Sequence, residues 1–152
     1  MKPLLITTIL ALLAMIAASA VASALVPAAQ AARAAEHVNM VIAPSIRLGP
    51  DGKLHDAYTP SNITALTGQK VVVTVYNYDT DGHTFTAPAL DLNQIMAPAT
   101  KGGVPAITTF SFVVRKPGLY HWRCVMPCDE PNGWAMQHDG YMAGTITVAP
   151  AS

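Results

Sequence analysis

Apolar positions divide the chain into two regimes. From Pro3 to Gln30 the sequence is an unbroken run rich in Leu, Ile, Ala and Val with no charged residue. Beyond it, apolar and polar residues alternate in short bursts, the two-residue period of half-buried strands. His37-Val-Asn-Met-Val-Ile42 predicts a first strand, and Ile63 to Leu66 a short extended piece. Lys70-Val-Val-Val-Thr-Val-Tyr-Asn-Tyr78 is β-branched and aromatic and predicts a central strand. His83 to Ala87, Ala106 to Val114, Leu119 to Cys124 and Ala143 to Val148 continue the series. Turn chemistry separates them: Asp79-Thr-Asp-Gly82, Gly102-Gly103 and Arg115-Lys-Pro-Gly118. Two stretches, Ala43–Pro60 and Pro88–Pro105, are dense in proline and glycine and predict surface loop. No helical period follows the N-terminus. The expected fold is therefore all-β, a sandwich of seven to eight short strands over residues 37–152, joined by a tether at 32–36 to the apolar segment 1–31.

That segment fits two patterns. Lys2, an apolar core and small-residue sites, best placed at Ala29-Gln-Ala31 after Pro27, make a secretory signal peptide. Leu4 to Val26 also exceeds an ordinary signal core of about 7–15 residues and matches the roughly 20 needed to span a bilayer. Both patterns place the domain outside the cytoplasm, on a periplasmic or extracellular face, as an exported protein that is either soluble or anchored to the cytoplasmic membrane. A formal net charge of zero, with only 12% of residues charged, supplies no electrostatic basis for nucleic-acid binding.

The chemistry concentrates near the C-terminus. Both cysteines, Cys124 and Cys128, stand three residues apart at the end of a strand, followed by His138 and Met142. Outside the cytoplasm two such thiols commonly form a disulfide, which here would close a very short loop and add little stability. Alternatively, thiolate, imidazole and thioether in one loop form a soft-metal ligand set that suits copper. Strand parity puts Trp122 and Tyr120 on the face of Cys124 and turns His121 away. His37 and His55 have no soft-ligand neighbour and read as surface or packing residues. His83 differs, because it begins a strand directly after a turn and would meet the Cys124 loop in a folded sandwich. One distant histidine with Cys, His and Met from one loop is the expected ligand pattern of a blue-copper site. Met136 is a possible substitute ligand, and Trp122 and Trp134 would either shield the metal or simply pack. Asn77 and Asp79 are expected to hold the turn before His83.

At this point three segments resemble the cupredoxin superfamily, and specifically the copper domain of cytochrome c oxidase subunit II. They are Asp81-Gly-His83-Thr-Phe-Thr-Ala-Pro, then Lys116-Pro-Gly-Leu-Tyr-His-Trp-Arg-Cys124-Val-Met-Pro-Cys128, and Gly140-Tyr-Met142-Ala-Gly-Thr-Ile-Thr-Val148. The resemblance covers roughly Ser61–Val148 and implies a cupredoxin-like Greek-key sandwich. It also implies a binuclear CuA centre held by His83, His138, both cysteines, Met142 and the backbone carbonyl of Met126. The sequence departs from the family between the second cysteine and the histidine, where Asp129–Gln137 make nine residues against a shorter spacer. Asp139-Gly-Tyr141 then gives the azurin-like spacing of a mononuclear site. One or two copper ions are therefore both open. The implied role is single-electron transfer with a redox protein such as a cytochrome or an oxidase, either as a free carrier or as subunit II of a haem–copper oxidase. A copper chaperone or store, and a metal-free sandwich with a Cys124–Cys128 bridge, are the alternatives. Independent catalysis is not expected, because copper nitrite reductases and multicopper oxidases use additional histidine-rich sites and the remaining histidines show no such pattern.

Overall fold

A computed structural model describes residues 33–151 apart from Lys101 and residues 130–132. The apolar segment 1–31, with its signal or anchor expectation, lies outside the described residues. From Ala34 onward the chain forms one compact unit of nine strands. These are β1 (Glu36–Leu48), β2 (Leu54–Thr59), β3 (Ile63–Leu66), β4 (Lys70–Asn77), β5 (His83–Ala87), β6 (Leu92–Met96), β7 (Ala106–Val113), β8 (Gly118–Arg123) and β9 (Ala143–Ala149). One sheet has the order β2-β1-β4-β7 and the other β3-β9-β8-β5-β6. Among the described residues no helix is long and apolar enough to cross a membrane.

The period-two segments became strands because each puts one apolar row inward. In β4 the residues Val71, Val73 and Val75 are fully buried while the intervening Val72, Thr74 and Tyr76 are only half-covered. This strand is internal to its sheet, pairing in parallel with β1 and antiparallel with β7. The rows of the two sheets meet in an aromatic centre. Trp122 stacks on Phe85 at 4.3 Å and 16°, and the Tyr58 ring meets Trp122 edge-on at 4.9 Å. Each such ring contributes about 1.5–3 kcal/mol through its burial. The polar tips are satisfied: Trp122 Nε1 donates to the Ser61 carbonyl at 3.0 Å and Tyr58 Oη to the Thr84 carbonyl at 3.1 Å.

Two expectations need correction. The stretch 43–60 is not a surface loop: β1 runs through Pro44 to Leu48, turns, and returns as β2. Pairing breaks between Ala43 and Arg47, with Ser45 at φ 51°, so Pro44 sits in a bulge where neither neighbouring strand needs its missing N–H. Gly49 and Gly52 then close a hairpin, with Gly49 N donating to the Lys53 carbonyl at 2.7 Å. The irregular stretch after Pro88 likewise contains β6, antiparallel to β5. These elements bring the strand number to nine instead of seven to eight.

Candidate metal centre

At one end of the sandwich, His83, Cys124 and Cys128 converge from two segments. All three are buried, and their ligand atoms lie within 4.8 Å of one another. His83 is placed by the turn that precedes it. The Asn77 amide at the end of β4 donates to the carbonyls of Asp81 and Ala97 at 2.9 and 2.8 Å, and its oxygen accepts from Asp79 N at 2.9 Å. Asp79 Oδ1 in turn accepts from Asp81 N at 3.1 Å. The turn is thus held by side-chain-to-backbone bonds, the role expected for Asn77 and Asp79. The other carboxylate oxygen of Asp79 lies 3.1 Å from His83 Nε2. That contact fixes the ring and leaves Nδ1 directed inward. Among the described residues, His83 Nδ1 is the one buried side-chain nitrogen or oxygen without a hydrogen-bond partner.

Cys124 directly follows β8. Its N–H donates to the Met142 carbonyl at 2.8 Å, the Thr84 N–H points at its sulfur at 3.4 Å, and the Met126 carbonyl lies 3.6 Å from that sulfur. Val125 N donates to Thr84 Oγ1 at 2.8 Å, so β5 clamps the start of the loop from both sides. Cys128 returns with its sulfur 3.0 Å from that of Cys124, both cysteines being free thiols. The disulfide alternative is therefore not what the structure holds, and the pair is free to ligate.

The pair shares a proton unequally. Cys124 is lowered to about 4, chiefly by the hydrogen bond from Cys128, with burial opposing and His83 and the Thr84 amide assisting. Cys128 is pushed up by the same hydrogen bond and by burial. Burial pulls the His83 imidazole down, but the neighbouring Cys124 sulfur and then the Asp79 carboxylate outweigh it and the net direction is up. The protein is thus expected to carry one thiolate at neutral pH. Because the folded value lies below the ordinary thiol value, the stabilisation it gives is full above that ordinary value and is lost as pH falls through about 4. Thiolate absorbance near 240 nm should fall by one group on acidification towards pH 4. Absorbance that is already absent at neutral pH would contradict this charge assignment.

The other expected ligands are placed differently. Met142 is fully buried, with its backbone against Cys124, and the Met126 carbonyl is at the cysteine pair. His138 is not brought into the cluster. It is exposed, stacks on Trp134 at 3.7 Å and 12°, and its Nδ1 lies 2.7 Å from the Trp134 carbonyl. The physical reason is the long spacer: residues Trp134–Gln137 wind into a 3-10 turn that carries His138 outwards. Met136 is half-buried and lines a cleft of about 260 Å³ with Arg123, Cys124, Val125 and Gln137. Trp122 packs in the core, whereas Trp134 stacks on the His55 and His138 rings. His121 is exposed, as parity required, and lies 3.6 Å from Asp139. His37 is exposed as well.

His55 departs from the surface or packing role read for it. It is 5% exposed, and both of its ring nitrogens face carboxylates, Asp129 at 2.9 Å and Asp51 at 3.0 Å. The alternation of His55 with buried Ala57 along β2 is the one signal in the sequence that could have placed this ring inside. It was hidden by the loop-like composition of the segment.

No family model matches the sequence, and no curated protein does. Solved structures do. The multicopper oxidase mgLAC aligns at 18% identity over 78% of this chain and 40% of its own, with a TM-score of 0.53. A blue copper oxidase from Nitrosomonas europaea aligns at 18% over 77% of this chain and 39% of its own, at 0.54. A copper-containing nitrite reductase from Thermus scotoductus SA-01 aligns at 20% over 78% and 28%, at 0.53. The chain spans less than half the length of each. At these identities the likeness establishes the fold, a cupredoxin-like β-sandwich.

Proposed function

We propose that this chain binds copper at His83, Cys124 and Cys128 and passes single electrons. The observation that carries the reading is the buried, partnerless Nδ1 of His83 directed at a thiol–thiolate pair. A buried polar atom without a partner is destabilising by about 1–3 kcal/mol, and a soft metal ion is the partner that two thiolates and an imidazole suit. Met142 and the Met126 carbonyl are the completing donors. Bound copper would supply one-electron redox chemistry. The chain supplies the rest: Asp79 orients His83 and raises its basicity through Nε2, the Thr84 amide faces the Cys124 sulfur, and the core beneath keeps water out.

The fold neighbours, which include a blue copper oxidase and a copper nitrite reductase, support copper as the metal. With His138 turned outwards, the arrangement favours one ion over the binuclear CuA centre implied by the oxidase resemblance, and with it a free-standing carrier over an oxidase subunit. The N-terminal segment supports an extracytoplasmic location, and the partner would be a redox protein such as a cytochrome or an oxidase. Copper stoichiometry with electron paramagnetic resonance on the purified domain tests this. One copper with a four-line pattern is expected. Two coppers with hyperfine structure shared over both nuclei would restore the binuclear centre and require His138 to swing inwards. No uptake by fully reduced protein would refute the metal reading.

A further inference from the structure

The loop over the cysteine pair is held from a distance. Asp129, the residue after Cys128, adopts φ 59°, a left-handed conformation that a non-glycine side chain keeps only when its surroundings enforce it. Its carboxylate is nearly buried and collects three donors. His55 Nδ1 lies 3.0 and 2.9 Å from its two oxygens, Asp56 N donates to it at 3.3 Å, and Ala135 N at 2.9 Å. The far nitrogen of His55 meets Asp51 at 3.0 Å. With a carboxylate at each ring nitrogen, both nitrogens are placed to donate, an arrangement that favours the imidazolium. Its flat face stacks on Trp134 at 4.3 Å and 26°, and Tyr141 meets its edge at 5.7 Å. Gly49 lets the ring in: a Cβ there would lie 2.8 Å from the imidazole.

From this arrangement we infer that His55 is a positioning residue of the copper loop, holding Asp129 and the Trp134–Gln137 turn in place beside Cys128 through its contacts with Asp129 and Trp134. The inference rests on the copper reading for its consequence and on the contacts alone for its geometry. His55 comes from β2, seventy-four residues before Asp129, and the ring contacts found for it are to Trp134 and Tyr141, not to the aromatic centre of the sandwich. Without it, a buried carboxylate one residue from the cysteine pair loses one of its three hydrogen-bond partners, and Trp134 loses the ring beneath it. Because Asp129 directly follows Cys128 in the chain, release of the loop would be felt at the ligand sulfur. Partners that orient metal ligands typically change metal affinity on the order of 10–100-fold when removed.

The test compares wild type, His55→Ala and the more conservative His55→Gln in three measurements. The first is labelling of Cys128 by a disulfide reagent in copper-free protein, located by mass spectrometry. The second is the transfer rate of Cu(I) to a chromophoric chelator, and the third is the Cu(II) resonance spectrum. The expected result is labelling and transfer accelerated about tenfold or more in His55→Ala, with a shifted spectrum, unchanged far-ultraviolet circular dichroism, and His55→Gln in between. Rates within twofold of wild type and an unchanged spectrum in folded His55→Ala would overturn the inference. Should that variant not fold, Trp134→Leu removes the stacking face alone and is judged by the same two outcomes. If wild-type protein takes up no copper, the copper reading fails and the labelling of Cys128 still decides the role of His55.

Discussion

His83→Ala is expected to abolish the copper charge-transfer band while leaving the copper-free fold nearly as stable as before. Two effects on the metal-free protein oppose each other. Truncation leaves a small cavity at a fully buried position and strips Asp79 of its partner at Nε2, but it also removes the partnerless Nδ1. Each is worth on the order of 1–3 kcal/mol, so the net change should stay within about 2 kcal/mol. Copper binding has no such offset. Among the described residues, His83 is the one imidazole in the cluster, and the exposed His138 is engaged with Trp134. Saturating copper, at a thousandfold excess over its dissociation constant, stabilises a wild-type fold by about 4 kcal/mol; in His83→Ala that increment should vanish together with the band. A variant that keeps the wild-type spectrum would remove His83 from the ligand set. A variant that loses both the band and its fold would show instead that the histidine is chiefly a packing residue.

What was readable in the sequence followed from local signals. The strands β4, β5, β8 and β9 each carry an apolar row at period two within a few residues of the expected bounds. His83, Cys124 and Cys128 were readable because thiols are rare in this chain and a histidine directly after a turn is exposed to pattern reading. The misses share a different cause. Strand β2 and the far half of β1 are built around a bulge at Pro44 and a glycine turn, so their composition mimics a loop although they pair as a hairpin. The resemblance implies His138 as a ligand, and the 3-10 turn at Trp134 leaves its ring exposed and stacked on Trp134. His55 has its decisive partner at Asp129, and no local period encodes a contact of that reach. Residues singled out by their own chemistry were visible, whereas a residue whose contacts lie far along the chain was not.

The second large effect concerns the strand that leaves the cysteine loop. Gly144 in β9 lies opposite Trp122 in β8, and a Cβ there would collide with the backbone carbonyl of Ser61 and come within 3.0 Å of Trp122 Nε1. These two atoms form the hydrogen bond that satisfies the buried indole, so Gly144→Ala has no flexible side chain to displace. It must instead push the Ser61 backbone, and with it β3, off β9, where the two strands pair in parallel from Ile63 to Leu66. Overpacking against backbone together with a lost buried hydrogen bond should destabilise the protein by about 3 kcal/mol or more. For a domain of this size that lowers Tm by on the order of 10 °C. Gly68→Ala is the matched control, because open space surrounds that position and only its φ of 78° opposes a side chain, a penalty of about 1 kcal/mol. Thermal unfolding of the two variants separates packing from backbone freedom. Equal Tm shifts would mean that β9 and Ser61 yield more readily than the contact implies. A much larger shift for Gly144→Ala would establish that the tight junction under Trp122 underpins the exit from the cysteine loop.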